Sequence, residues 1–179
     1  MTEWNRRKLC QGQRDIELND EGRKEAYALS ESLKTFSFSR ICVSPLKRAL
    51  ETAKVIQEAI PSCKLIIIDE LKERSWGELE GLSNTEMYRI EELEEKDPGF
   101  FPKSGVEERD LFKQRICRGM NAALRFEGEP LIVSHGRVFL SLCELLNIER
   151  VRQIPNTTLV ECVHTAGQWK TTVLTKEHR

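Results

Sequence analysis

At 179 residues, 39% hydrophobic and 32% charged, the chain has the composition of an ordinary folded domain and lies outside the disordered and low-complexity classes. A net charge of -1 supplies no basic field for nucleic acid or an anionic membrane surface. Its apolar runs are far too short to span a bilayer and Met1-Thr2-Glu3-Trp4 is no signal peptide, so a cytoplasmic protein is expected. The six cysteines form no CxxC pair and the three histidines are scattered, which fits reduced thiols and no metal site.

Residues 1–19 show no period and read as a loop, with the basic cluster Arg6-Arg7-Lys8 a solvated patch. Asn19 or Asp20 caps a helix to about Lys34, with Ala26, Leu29 and Leu33 at helical spacing. A strand follows at Arg40 to Val43, and Ser44-Pro45 opens a helix with proline in its first turn. Leu46, Ala49, Leu50, Ala53, Val55 and Ile56 form the buried side of that helix, and Pro61 stops it. Leu65-Ile66-Ile67-Ile68 reads as a strand covered on both faces. Asp69 to Gly81 is an acidic, aromatic loop. A polar helix over roughly Asn84 to Lys96 carries the run Glu91-Glu92-Leu93-Glu94-Glu95, read as a solvated face.

Asp97-Pro98-Gly99-Phe100-Phe101-Pro102 is a breaker, taken as a turn. Glu107 to Phe126 is amphipathic, with Leu111, Phe112, Ile116, Met120 and Leu124 inward. Leu131-Ile132-Val133 is a buried strand, followed by Ser134-His135-Gly136 and a helix from Arg137 to Leu146. A hairpin closes the chain: Leu159 to Val163, a turn at Ala166-Gly167-Gln168, and Trp169 to Leu174. The alternation predicts a single α/β domain of three layers, α/β/α, on a mostly parallel sheet with a C-terminal hairpin.

Two strand ends run into helices that begin with chemistry. One delivers His135 into the crevice where open α/β sheets bind ligands, and the other leads to Arg48 one turn into its helix. A histidine and an arginine so placed suggest an anion site, most simply for phosphate. Phosphoryl transfer needs such donors for the phosphoryl oxygens and an acid for the leaving oxygen. Glu73, with Glu70 and Glu78 near it in the acidic loop, is the candidate acid.

Motifs taken in chain order resemble those of the histidine phosphatase, or phosphoglycerate-mutase-like, superfamily. Thr2-Glu3-Trp4-Asn5 resembles the tail of its opening Arg-His-Gly motif. Gly12, Asp15, Leu18, Gly22 and Ala26 follow the family's next pattern. Ser44-Pro45-Leu46-Lys47-Arg48-Ala49-Leu50-Glu51-Thr52-Ala53 resembles its arginine motif. Glu73 to Gly81 resembles its acid loop, and Ser134-His135-Gly136 its second-histidine motif. The resemblance implies that Arg48 and His135 bind the phosphoryl group and that Glu73 donates the proton. It also implies that Asn5 bonds a phosphate oxygen, that Gln11 and Gly12 lie on the substrate side, and that no cofactor or metal takes part. Ser104-Gly105-Val106-Glu107-Glu108 departs from the family's Gly-Glu-Ser segment, and no substrate contact is carried over from it.

The family's nucleophile is the histidine of Arg-His-Gly, which forms a phosphohistidine that water then opens. Counted back from Asn5, that histidine and its strand fall before Met1, so the 179-residue chain is expected to be N-terminally incomplete and inactive or strongly impaired. Removing a central parallel strand unpairs backbone groups at a cost on the order of 1–3 kcal/mol each. Against a net stability of about 5–15 kcal/mol, that predicts poor folding unless another segment fills the slot. The short interval from Glu73 to His135 favours the phosphatase branch: a phosphomonoester hydrolase of small phosphorylated metabolites. A catalytically inactive phosphate-binding module, and a mutase or sugar bisphosphatase, are the alternatives. Oligomeric state is not readable.

Overall fold

The structure is a computed structural model that describes residues 1–97, 99–102, 105–148 and 154–174. Thr2 accepts from the Asn5 N–H and opens a single helical turn, α1 (Glu3–Arg6), inside the stretch that the sequence presents as loop. The difference arises because Thr2 and Asn5 form a capping box, each side chain satisfying the other's backbone N–H. Asn19 caps α2 (Asp20–Leu33) through the Gly22 N–H, as its position predicts. The strand β1 (Arg40–Val43) is buried along its whole length. Helix α3 (Lys47–Ala59) starts later than the Ser-Pro signal suggests, because Asp15 Oδ1 takes the Lys47 N–H at 2.7 Å and sets the first turn there.

The strand β2 (Lys64–Ile67) is followed by two short 3-10 turns, Asp69–Leu71 and Gly77–Leu79, and then α4 (Thr85–Lys96). Helix α5 (Arg109–Leu124) leads to β3 (Pro130–Val133), α6 (Gly136–Leu145), and the hairpin β4 (Val160–Thr165) and β5 (Gln168–Val173). Ala166 and Gly167 turn that hairpin with φ of 51° and 80°. Two successive positive φ values match the right-handed twist of the strands they join.

The parallel sheet runs β2-β1-β3, with β1 paired to both neighbours. Helices α2 and α3 cover one face through Leu33, Ala49, Ala53 and Ile56, packed on Ile41, Val43 and Leu131. The opposite face meets α5 through Ala123 and Met120 on Cys42, Ile66 and Ile132. Val138 of α6 packs with Phe112 and Ile116 of α5. This is the three-layer α/β/α arrangement, and its central core lies around β1.

Several sequence expectations are corrected. β2 is an edge strand, so Ile67 is exposed rather than covered on both faces. On α5 the buried positions are Phe112, Ile116, Gly119 and Ala123, and Leu111 and Leu124 are exposed. The buried positions recur at four- and three-residue steps, and Leu111 and Leu124 fall beside that stripe. Gly119 belongs to it for a steric reason: a Cβ there would lie 3.0 Å from the Glu70 Cβ, so its absence lets the acidic loop sit against α5. Ser44 N donates to the Val133 carbonyl at 3.1 Å. Alternation along a parallel strand therefore turns the Ile132 backbone to the other edge of β3. Among the described residues that edge pairs with no strand, and β4 pairs only with β5. Pro98 and Ser104, named in the breaker and departing segments, and His178 lie outside the described residues.

Candidate active site

His135 sits at the carboxyl end of β3 as the residue before α6, with extended backbone (φ -130°, ψ 166°). Its Nε2 lies 2.7 Å from the Ser44 Oγ at the end of β1. Burial, then the charges of Arg48 and Arg115, hold its imidazole well below the usual range. It is therefore neutral near pH 7, with one ring nitrogen a donor and the other an acceptor.

Arg48 lies in the first turn of α3 and is aimed back across the loop by two carbonyls. It donates to Gly12 O at 2.8 Å and to Arg14 O at 2.9 Å. Burial lowers its pKa, opposed by Glu73, Asp15 and Glu80, and a guanidinium has ample margin to stay charged.

Glu73 faces the same place. Its Oε1 accepts from Arg74 N at 2.9 Å and its Oε2 from Arg137 N at 3.2 Å, in the first turn of α6. The backbone carrying it is clamped from α5. Arg115 donates to the carbonyls of Glu70 (2.8 Å), Lys72 (2.9 Å) and Glu73 (3.2 Å), while Glu107 holds its Nε and Nη2. A second clamp is Arg74, which forms a two-pronged pair with Glu94 of α4 (2.8 and 2.5 Å) and stacks over Trp76. The side chains of this pair are only 4% and 5% exposed. The acidic run on α4 is thus a solvated face only in part: Glu92 and Glu95 are exposed, whereas Glu94 is buried on Arg74 and Glu91 is paired with Arg137.

Gly12 is a steric hub. Its φ is +51°, and a Cβ there would lie 2.1 Å from the Glu80 Oε1. That same oxygen accepts from Gln13 N (2.9 Å) and Trp76 N (3.0 Å), stapling the N-terminal loop to the acid loop. Gln13 adds a bond from its Nε2 to the Glu73 carbonyl, 3.0 Å long. Cys10, beneath this loop, is 1% exposed, with its Sγ 3.8 Å from the Met87 Sδ. Burial, with Glu80 and Glu73 near, pushes its thiol up to about 12.

Arg48, Gly12, Glu73 and His135 are therefore brought together. Asn5 and Gln11 are joined instead through Thr2, whose Oγ1 lies 2.9 Å from the Asn5 Oδ1 and 2.9 Å from the Gln11 Oε1. Asn5 is exposed, and its amide oxygen is occupied by the capping box. Ser44, Glu80, Arg115 and Glu107 are participants that the sequence reading missed. Glu107 and Arg115 stand eight residues apart on a predicted helix, which gave no sign that both turn toward the loop. His164 lies in the exposed hairpin with its ring 5.1 Å from Trp169. Among the described residues there is no group of three or more His, Cys, Asp or Glu side chains that could hold a metal ion. None of the described helices is long and apolar enough to cross a membrane.

The sequence profile of the histidine phosphatase superfamily, branch 1, matches residues 1–177. This chain belongs to that superfamily. Among its relatives is the uncharacterized phosphatase PhoE of Bacillus subtilis (strain 168), 34% identical over 145 residues, covering 79% of this chain and 70% of PhoE. The phosphoglycerate mutase-like protein 4 of Arabidopsis thaliana is 30% identical over 168 residues, 88% of this chain and 73% of that protein. In fold, this histidine phosphatase homologue resembles the crystal structure of phosphoglycerate mutase from Bacillus anthracis str. Sterne. The TM-score is 0.80 at 24% identity, over 97% of this chain and 88% of that one. The family thus embraces both phosphatases and phosphoglycerate-mutase-like proteins.

Proposed function

We propose that this protein is a phosphomonoester hydrolase of small phosphorylated metabolites that works through a phosphohistidine. The observation that carries the reading is the grouping of Arg48 in the first turn of α3, whose charge acts on His135 and feels Glu73, with the Glu73 carboxyl on the first turn of α6 that His135 precedes. Arg48 and the Gly136 N–H that opens α6 bind the phosphoryl oxygens, and His135 donates a further hydrogen bond to them. A histidine expected in the residues preceding Met1 attacks phosphorus. The N–P bond forms, the P–O bond to the alcohol breaks, and Glu73 gives its proton to the departing oxygen. Water then attacks phosphorus, Glu73 takes the proton that water loses, and the N–P bond breaks to release phosphate. Gly12 borders the substrate on the loop side, and Asn5 and Gln11, whose amide oxygens are held by Thr2, offer it their amide nitrogens.

The test is hydrolysis of p-nitrophenyl phosphate and a panel of small phosphate monoesters. The 179-residue chain is compared with one extended by a strand ending in Arg-His-Gly. Activity is expected in the extended chain, falling by orders of magnitude on His135→Ala; activity indifferent to that substitution would refute the assignment. A second reading, a phosphate-binding module without turnover, is favoured by one observation. His135 is the one imidazole placed with Arg48 and Glu73 among the described residues, since His164 belongs to the hairpin. Stabilisation of the melt by phosphate without hydrolysis in either chain would support it.

A further inference from the structure

Ser44 follows the last residue of β1, and the fold leaves its hydroxyl few choices. Its N–H donates to the Val133 carbonyl, which ties the end of β1 to the end of β3. Pro45 comes next, and a residue before proline is held near extended backbone, so the direction of the Ser44 side chain is set locally. The residue is 0% exposed, so bulk water supplies no partner. Among the described residues two polar atoms meet its Oγ: the Leu46 N at 3.3 Å and the His135 Nε2 at 2.7 Å. A backbone N–H can only donate, so the serine oxygen accepts from Leu46. A hydroxyl carries one proton, and the acceptor left for it is the His135 Nε2.

The opposite arrangement strands a proton. Were the ring hydrogen on Nε2, Ser44 would accept from both neighbours, and its own proton would be buried with no acceptor among the described residues. Leaving a buried polar group unpaired costs more than a typical hydrogen bond contributes. The bond made at one imidazole nitrogen decides the state of the other, so the ring proton of the neutral His135 belongs on Nδ1. Nδ1 bonds no described residue, and it is not sealed in the interior. It lies nearer the main chain than Nε2 does, and the next residue, Gly136, borders open space: a Cβ there would meet nothing within 4 Å. The phosphoryl oxygens of the reading above, on which this inference rests, are acceptors. An Nδ1 lone pair would repel them, and an Nδ1–H holds them. We infer that Ser44 is a positioning residue: by donating to Nε2 its hydroxyl fixes His135 in the Nδ1–H tautomer, and so makes that N–H the donor to a phosphoryl oxygen. Ser44 acts through the ring alone and does not itself touch the substrate.

The experiment is nitrogen-15 NMR of the imidazole nitrogens of the 179-residue chain near pH 7, with the His135 ring assigned by through-bond correlation. Nδ1 is expected in the protonated range and Nε2 in the unprotonated range. The reverse pattern, or an even mixture of the two tautomers, overturns the inference. On titration with inorganic phosphate the Nδ1–H resonance is expected to move to saturation while Nε2 stays unprotonated. Phosphate that binds without moving Nδ1–H overturns the role given to that donor. Both readings use the unaltered protein and depend on no variant folding. In Ser44→Ala the single tautomer is expected to be lost and the phosphate dissociation constant to rise about tenfold, the loss of one hydrogen bond. Ser44→Thr, which keeps the hydroxyl, is expected to keep both. A Ser44→Ala protein that weakens phosphate yet holds a pure Nδ1–H tautomer overturns the inference, because Ser44 would then act only on the fold. If phosphate fails to bind the unaltered chain, the phosphoryl site of the preceding section falls and takes the donor role of Nδ1–H with it. If phosphate binds, that site stands, and the ring tautomer decides the role of Ser44 by itself.

Discussion

Gly12→Ala tests the hub of the site loop. A left-handed residue other than glycine costs roughly 1–2 kcal/mol, and Gly12 has φ +51°. The larger effect is steric. The new methyl would sit 2.1 Å from the Glu80 Oε1, 2.6 Å from Cδ and 2.9 Å from Cγ. A flexible carboxylate could ordinarily swing aside, but this one is buried and accepts from the N–H groups of Gln13 and Trp76. Hydrogen bonds to charged groups are worth about 1.5–3 kcal/mol each. Losing both, with the backbone cost, amounts to about 4–8 kcal/mol, a large part of a typical domain's net stability. In a Glu80→Ala background the obstruction is gone, and the same substitution should cost only the backbone share. Urea denaturation of the four proteins of this double-mutant cycle measures the difference. A Gly12→Ala cost that is equal in both backgrounds, or below about 1 kcal/mol in the first, would refute the reasoning.

The remaining predictions concern charge. Glu73→Gln in an active extended chain should lower kcat by about 10²–10⁴-fold, with a smaller loss on p-nitrophenyl phosphate, whose leaving oxygen needs less help; equal losses on alkyl and nitrophenyl esters would argue against a proton donor. His135 is held below its usual range by burial, Arg48 and Arg115, whereas the unfolded chain takes up its proton near ~6.5. Stability contributed by the neutral ring is therefore present above about pH 6.5 and is lost as pH falls toward the lower folded value. His135→Asn should flatten that acid slope in urea melts, and an unchanged slope would exclude the ring as its source. Arg74→Met alone should destabilise by about 3–5 kcal/mol, since it strands the buried Glu94, and Arg74→Met with Glu94→Leu should recover most of that. Thermal melts showing the double variant as unstable as the single one would contradict this.

Much of the fold is legible because local signals and tertiary packing agree. Asn19 stands where a cap must be, Pro61 stops its helix, and the β–α alternation leaves few ways to pack. The errors fall where a distant partner decides. Nothing near Lys47 announces that Asp15 will cap it. The run Glu91-Glu95 has the composition of a solvated face, and only the arrival of Arg74 and Arg137 from other elements buries Glu94 and pairs the half-buried Glu91. β2 looks like a central strand until the sheet order places it at an edge. The site divides in the same way. Arg48, Glu73 and His135 are marked by their places in motifs, whereas Ser44, Glu80 and Arg115 act through backbone groups and one serine–histidine contact that spacing does not reveal.

The buried Cys10 thiol has a practical consequence. With its pKa pushed to about 12, on the order of one molecule in 10⁵ carries the thiolate near pH 7, and the surrounding packing blocks access even to that fraction. Cys117, by contrast, is exposed on α5. An alkylating reagent should therefore label Cys117 at once and reach Cys10 only when the loop lifts away from Met87. Followed at the Cys10 peptide, apart from the other buried thiols Cys42, Cys63 and Cys143, the slow labelling then clocks how often the loop that aims Arg48 comes undone, in the intact protein and without any introduced probe.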